Sequence, residues 1–380
     1  MMRLIAAHHM MNDIETRVFS LLPKKQKIAF VNFCGRGFGD NPKYIAEEIL
    51  RQRLPWDLVW LVGDMSLDFP EGIRKVKYYS MRSKYELATA KVIISNAKGR
   101  MPYVKRSSQH YLQTWHGGFP LKYIEKEAED TLDENYLRDS KYDSSITDLI
   151  ISGSEFQTNI IRESFWYNGE IFKKGVPRND ALFNNTPETI ARKKHQLGFA
   201  DDERIVIYAP TFRDDYSTSA YAFDTNRLLD ALRTKTGRKW KLIVRLHPVV
   251  ANQSSIFTFG DDVINGSHLS DPQDLLIISD LLITDYSSMM MDFGIMHKPV
   301  LLYCTDLQEY VTKCRALRPI FYELPFEKCA SSDELCSAVA NFDLTAFHAR
   351  LNDFLATRYN SYDDGHASEH VVERIKQWMV

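Results

Sequence analysis

Ten short runs of apolar, β-branched and aromatic residues recur along the chain, and several of them are continuous rather than alternating. In the first half they are KIAFVNF (27–33), LVWLVG (58–63), KVKYYS (75–80), KVIISNA (91–97), YLQTW (111–115) and LIISGS (149–154). The second half has RIVIYAP (204–210), KLIVRLH (241–247), DLLITDYS (280–287) and PVLLYC (299–304). A strand wetted on one face alternates, whereas an unbroken apolar run needs cover on both faces, as in a parallel sheet. Helix-length segments of mixed polarity separate the runs, so the pattern predicts a doubly wound α/β architecture. The series runs down over 184–202, where NNTPETIARKKHQLGFADDE reads as linker, helix and polar loop. A chain of 380 residues suits two domains of roughly 150–200 residues better than one core. The expected division is therefore 1–186, 187–348 and a C-terminal piece, 349–380, that ends in an amphipathic helix.

Composition narrows the class. The chain is 44% apolar and 26% charged with a net charge of −2, the balance of a globular protein, and no nucleic-acid partner is expected. No uncharged apolar run reaches the ~18 residues of a membrane helix; the longest, LLIISDLLI, is broken by Ser279 and Asp280. The N-terminus lacks the apolar core and cleavage site of a secretory signal. Five scattered cysteines without metal-ligand spacing fit a reduced, cytoplasmic setting and no bound metal. Residues 81–110 hold Arg82, Lys84, Lys91, Lys98, Arg100, Lys105 and Arg106 against the single acid Glu86, and Glu125 to Asp148 is acidic. Solvated faces are the default reading. The sharper one is a basic surface for lipid headgroups or a phosphorylated substrate.

Two such domains facing one another make a cleft, and ligands of open α/β sheets bind beyond the carboxyl ends of the strands. The residues that follow the strands are therefore the candidates. After 27–33 comes CGRGFGDNPKYI, whose glycines miss the dinucleotide spacing because Asp40 stands where a glycine is required. Asn41 is placed to cap the next helix, with Pro42 at its first position. After 111–115 comes His116, then Gly117 and Gly118, which permit positive φ and close approach of a ligand. An imidazole there can accept a proton near neutral pH. In the second half Thr211 and Arg213, then Arg245 and His247, then Asp285, Tyr286, Ser287 and Ser288 follow strands. Hydroxyls and free N–H groups at a helix start, with arginines nearby, suit a phosphate or pyrophosphate.

In order along the chain, NPKYI, QTWHGGFPLK, GSEF, GVPRND, YAPTFRDD, RLHP, DLLITDYSSMMMDF with KPVLLY, and DDGHASE resemble the motifs of the CDP-glycerol glycerophosphotransferases, the primases and polymerases of teichoic acids and related capsule polymers. The resemblance runs from about residue 27 to the C-terminus. It implies a GT-B-type fold: an acceptor-binding and a CDP-alditol-binding Rossmann-like domain, with C-terminal helices crossing back to the first. It implies a CDP-glycerol or CDP-ribitol donor, a polyprenyl-diphosphate-linked saccharide acceptor, and peripheral association with the inner face of the membrane. It makes His116 and His247 the catalytic pair, Gly117, Gly118 and Asn41 the acceptor loop, and Asp285 to Ser288 a diphosphate site, with Arg178 of GVPRND meeting the same phosphates.

On this reading His116 deprotonates an acceptor hydroxyl, which attacks the β-phosphorus, and CMP leaves. Arg213, Arg245, Ser287 and Ser288 stabilise the charge, protonated His247 neutralises that on the leaving group, and no cofactor is required. Two departures from the family pattern stand out. Gly118 replaces a threonine and Phe119 is added before Pro120, and FYELPFEKCA lacks the usual Pro-Gly. The compact length leans towards a primase or short-chain enzyme; oligomeric state, and glycerol against ribitol, stay open. The competing readings are a GT-B nucleotide-sugar glycosyltransferase and a silent subunit that grips a lipid-linked polymer.

Overall fold

The computed structural model describes residues 14–99, 101, 103–269, 271–314 and 316–380, so Arg100 of the basic stretch lies outside the described residues. All ten apolar runs contain strands. The first sheet comprises β1 (Lys25–Val31), β2 (Asp57–Val62), β3 (Ile73–Lys77), β4 (Ala90–Ser95), β5 (His110–Gln113), β6 (Leu149–Ser152) and β7 (Glu170–Lys173). The second comprises β8 (Arg204–Ala209), β9 (Trp240–Val244), β10 (Val263–Asn265), β11 (Leu281–Thr284), β12 (Val300–Tyr303) and β13 (Glu327–Cys329). Their orders, β3-β2-β1-β4-β5-β6-β7 and β10-β9-β8-β11-β12-β13, are the same doubly wound arrangement, and every pairing is parallel. The order reverses between β1 and β4 in one sheet and between β8 and β11 in the other, the switch points where ligands bind in this class.

The core explains the unbroken runs. Ile28 and Phe30 of β1 join Leu58, Trp60, Val92 and Ile94 on one face. Ala29 and Val31 join Val59, Leu61 and Ile93 on the other. Each strand thus feeds two cores alternately, and every position must be apolar. The three strands without a run, β7, β10 and β13, are sheet edges of three or four residues with half-exposed side chains. A strand covered on one side and that short leaves no periodic signal.

The chain divides into two compact units, one of Met1–Gly118, Ile124–Asp180 and Ser361–Val380, the other of Phe119–Tyr123 and Ala181–Asn360. The first break falls at 180/181 rather than 186/187, and the C-terminal return starts at 361 rather than 349. Five residues straight after the HGG turn belong to the second unit, which the sequence pattern did not suggest. Phe119 is buried there against Phe354 and Tyr359, with ring centroids 6.2 and 5.7 Å away, and the Arg318 N–H donates to the Leu121 carbonyl at 2.8 Å. The residue inserted before Pro120 is an apolar anchor.

In the first unit, the helix Ala367–Met379 buries Val371, Val372, Ile375 and Met379 in the same core as Ile28, Phe30, Ile45 and Ile49. Its start is fixed by two of the quoted motifs meeting. Asp180 of GVPRND accepts the N–H groups of Ala367 (2.9 Å) and Ser368 (2.7 Å). Asp363 of DDGHASE accepts from Val176 N–H at 2.7 Å and Asn179 Nδ2 at 3.1 Å. Gly175, at φ +87°, lets Ala367 and Asp363 close in: a Cβ there would sit 3.0 Å from both. These motifs bind each other.

Candidate active site

In the first unit the chain leaves β5 at Gln113 and turns at Trp115, which has φ +51°. The strain expected of the two glycines falls on the tryptophan, and neither Gly117 nor Gly118 has positive φ. Gly117 is instead required by crowding, since a Cβ would lie 3.0 Å from Trp115 Nε1. Phe33 and Cys34 after β1, Tyr79 after β3, and Asp40 and Glu125 at helix starts also have positive φ. Such conformations cost about 1–3 kcal/mol each and persist where surrounding structure imposes them, commonly at functional sites.

His116 is half-buried between Trp115 and Phe33, with ring centroids 4.2 and 5.2 Å away. Its Nδ1 lies 2.8 Å from the Asn96 carbonyl oxygen, which only accepts, so Nδ1 carries the proton and Nε2 keeps a free lone pair. Burial pushes its pKa below the ordinary value of 6.5, against the Asn96 hydrogen bond and Asp40, and Arg178 pushes the same way. The imidazole is therefore neutral at pH 7, in the tautomer and charge state of a base.

Asn41 and Arg178, expected at the ligand, are used to hold this turn. The helix Asp40–Arg51 has Gly39 at its N-cap and no side-chain cap, so Asn41 does not cap it. Asn41 is buried; its Nδ2 donates to the Trp115 carbonyl at 2.9 Å, and its Oδ1 accepts from Arg178 N–H at 3.1 Å. Arg178 is buried too, with Nη1 donating to the His116 carbonyl at 2.8 Å and lying 3.5 Å from Asp40. A guanidinium held this way stabilises the loop and has little left for a phosphate.

The second unit shows a similar division of labour. Arg213 is buried, donates to Asp306 through Nε (2.6 Å) and Nη2 (3.0 Å), and reaches Asp285 through Nη1 at 3.0 Å. Asp285 also accepts the N–H groups of Thr211 (2.8 Å) and Tyr286 (2.6 Å). The Tyr286 hydroxyl donates to Asp306 at 3.0 Å and its ring stacks on Tyr310 at 3.8 Å. These groups tie the loops after β8, β11 and β12 together, so Arg213, Asp285 and Tyr286 serve the fold of the site rather than offering free charge to a ligand.

The other candidates of this unit differ in exposure. Ser287 and Ser288 are half-exposed at the start of Met289–Gly294, beside the switch point. Thr211 follows β8, and its Oγ1 is buried without a hydrogen-bond partner among the described residues. Arg245 follows β9, donates only to the carbonyls of Gly266 (3.2 Å) and Leu269 (2.5 Å), and has no ion-pair partner among the described residues. Of the three expected phosphate cations it is the one not matched to a carboxylate at contact distance. His247 packs on Phe212 with centroids 4.6 Å apart, and its Nδ1 accepts from Val249 N–H at 3.3 Å. With Nδ1 accepting, the ring proton sits on Nε2, whereas the expected imidazolium would carry one on each nitrogen. A cavity of about 340 Å³ lies between the loops after β8 and β12, but Asp214, Asp215, Asp306 and Glu309 outnumber Arg213 and Lys313 on its lining. Its net-acidic lining opposes a diphosphate.

Asn96, Asp40 and Asp306 were missed in the sequence. Asn96 directly follows β4 and Asp306 lies in the loop after β12, so the rule that singled out His116 could have found both; Asp40, at the start of the helix Asp40–Arg51, carries no such signal.

A family model described as CDP-Glycerol:Poly(glycerophosphate) glycerophosphotransferase matches residues 14–377. The chain is 30% identical to a teichoic acid poly(glycerol phosphate) polymerase of Bacillus spizizenii, over 96% of this chain and 95% of that protein. It is 31% identical to a teichoic acid glycerol-phosphate transferase of Staphylococcus aureus, covering 94% and 95%. The structure of a variant of the wall teichoic acid polymerase TagF soaked with CDPG superposes with a TM-score of 0.85 at 28% identity, covering 96% of this chain and 93% of that one. A relative of the same compact length is a polymerase, so length does not favour a primase.

Proposed function

This chain belongs to the CDP-glycerol:poly(glycerophosphate) glycerophosphotransferase family, and from that premise we propose that His116 is the base that activates an acceptor hydroxyl for attack on the β-phosphorus of a CDP-activated alditol. The carrying observation is the tie from Nδ1 to the Asn96 carbonyl, which puts the ring proton on Nδ1 and leaves Nε2 of the neutral imidazole to accept. Nε2 takes the hydroxyl proton, the oxygen bonds to the β-phosphorus, and the bond from that phosphorus to the bridging oxygen breaks, releasing CMP. The acceptor is a hydroxyl of a lipid-linked saccharide or of the growing polyol phosphate.

Charge is stabilised by Arg245, by the hydroxyls of Ser287, Ser288 and Thr211, and by the Nε2–H of His247, which supplies hydrogen bonding to the leaving phosphate. Arg213, Asp285, Tyr286, Arg178 and Asn41 hold these groups in place. The test is a donor screen with CDP-glycerol, CDP-ribitol and UDP-sugars, reading CMP or UDP release and product length by mass spectrometry. UDP release without CMP would mean a glycosyltransferase, and binding without release a silent subunit. Arg245→Ala raises the donor KM about 10–100-fold, the worth of one charge-assisted hydrogen bond, and leaves the acceptor KM within twofold. An unchanged donor KM removes Arg245 from the donor site.

The lipid-linked acceptor brings the protein to a bilayer surface. No helix among the described residues is long and apolar enough to cross a membrane. Most of the 81–110 bases are used internally: Lys84 pairs with Glu15, Lys98 is buried against Ser144, Lys105 pairs with Asp148 and Arg82 with Glu86. The better support is the segment from the helical residues 14–19 onward, where Ile14 (55%), Val18 (59%), Leu21 (87%) and Leu22 (42%) are exposed. Arg17 and Lys25 stand among them, and Arg106 grips the carbonyls of Ser20 and Leu22. Apolar side chains flanked by bases suit an anionic headgroup layer. Val18→Asp with Leu21→Asp lowers sedimentation with phosphatidylglycerol vesicles at least tenfold without loss of fold. Equal sedimentation would place the membrane contact elsewhere.

A further inference from the structure

Two buried polar side chains behind the His116 turn are not used by the reaction described above. Gln113 is the last residue of β5 and is 0% exposed; Asp143, on the helix Glu134–Ile146, is 1% exposed. Gln113 Oε1 accepts the Trp115 N–H at 2.9 Å. Its Nε2 then faces Asp143 Oδ1 at 3.2 Å, the Tyr111 hydroxyl at 3.1 Å and the Ala97 carbonyl at 3.3 Å. Asp143 Oδ2 accepts the Tyr111 hydroxyl at 2.6 Å. Tyr111 and Gln113 are two apart on one strand, so both reach the same face and the same carboxylate.

The polarity of this file is fixed from one end. Trp115 N–H can only donate, so the amide oxygen of Gln113 must face it and the amide NH₂ must face inward. An inward NH₂ in a dry interior needs acceptors, and the carboxylate of Asp143 supplies the charged one. On the other side of the same residue, Asn41 holds the Trp115 carbonyl. The peptide groups on both sides of the left-handed residue before the base are thus clamped.

We propose that Asp143 and Gln113 are positioning residues for His116: the file Asp143–Gln113–Trp115 N–H imposes the left-handed turn that aims the imidazole at the acceptor. The reading rests on His116 as the base, and its test separates the two. Burial pushes the Asp143 carboxyl up to about 6, among Lys98, Glu125, Tyr103, Tyr111 and Cys34, so assays at pH 8 keep it ionised. Asp143→Asn places an NH₂ against the NH₂ of Gln113 while its oxygen serves Tyr111, and one donor is orphaned. Combining it with Gln113→Glu reverses the polarity of the pair: the new amide donates to the new carboxylate, whose second oxygen still accepts Trp115 N–H.

Expected results are a kcat for Asp143→Asn at least tenfold down with the donor KM within twofold, and recovery to within threefold of wild type in Gln113→Glu/Asp143→Asn. Tyr111→Phe, which leaves the Asp143–Gln113 bond, stays within threefold. Amide hydrogen exchange of the 113–118 segment rises in the single variant and returns in the double, a readout that stands even if no CDP-alditol proves to be a substrate. Gln113→Met, which keeps the bulk and removes the bonds, loses kcat as the single variant does and serves if that variant does not fold. A folded Asp143→Asn or Gln113→Met with kcat and segment exchange within twofold of wild type overturns the proposal. So does a folded double variant no better than Asp143→Asn.

Discussion

Replacing His116 by alanine lowers kcat about 10²–10⁴-fold while the donor KM and the fold are retained. The magnitude is that of a positioned general base, roughly 3–5 kcal/mol of the barrier. Donor affinity is spared because the groups assigned to the diphosphate, Arg245, Ser287, Ser288 and Thr211, belong to the other unit. The fold is spared because the side chain is half-buried and its hydrogen bond to the Asn96 carbonyl is worth about 1 kcal/mol. The pH profile gives a second reading. A base must be neutral, and burial holds this imidazole below 6.5, so activity persists as pH falls to 6.5 and declines only further down. Steady-state CMP release from pH 5 to 9, with His116→Ala alongside, measures both. Most of the rate surviving in the variant, or an acid limb well above 6.5, removes His116 from the base role.

Deleting 361–380 unfolds the first unit. Four fully buried side chains, Val371, Val372, Ile375 and Met379, leave its core, each worth about 1.5–3 kcal/mol of burial. Together that is roughly 6–12 kcal/mol, on the scale of the ~5–15 kcal/mol that holds a domain together. The Asp180 carboxylate also loses two backbone donors while remaining in place. Chemical denaturation followed by tryptophan fluorescence reads the loss, since Trp60 lies in the same core. The graded version is Ile375→Ala, expected to cost about 2–5 kcal/mol. A truncated protein with an unchanged transition would mean the helix is an accessory.

The two sheets were legible because a strand buried on both faces must be apolar at every position, and that pattern survives in a single sequence. Edge strands such as Glu170–Lys173 are held by one neighbour and carry no such constraint. The positions of the candidate residues after strands were legible, and what those residues face was not. Strand-end position singled out His116, His247 and Arg213, and the motif resemblance added Arg178, but neither could say that both guanidiniums already face carboxylates. What cancels them lies far off in sequence: Asp40 for Arg178, and Asp306, 93 residues on, for Arg213. Residue type says that a charge exists; only the fold says what already faces it. The same limit assigned the backbone strain to Gly117 and Gly118, when the clamp from Gln113 and Asn41 holds it in Trp115.

The chain passes from one unit to the other at 118/119, back at 123/124, over again at 180/181 and back at 360/361. During synthesis this sets an order. When residue 180 emerges from the ribosome, all seven strands of the first sheet exist, yet the groove over Ile28, Phe30 and Ile45 has no cover. The second unit can finish before that cover arrives, because its last residue, Asn360, precedes it. The nascent first unit therefore waits with apolar surface open through the whole translation of the second, and the enzyme closes its first core only when residues 361–380 have followed.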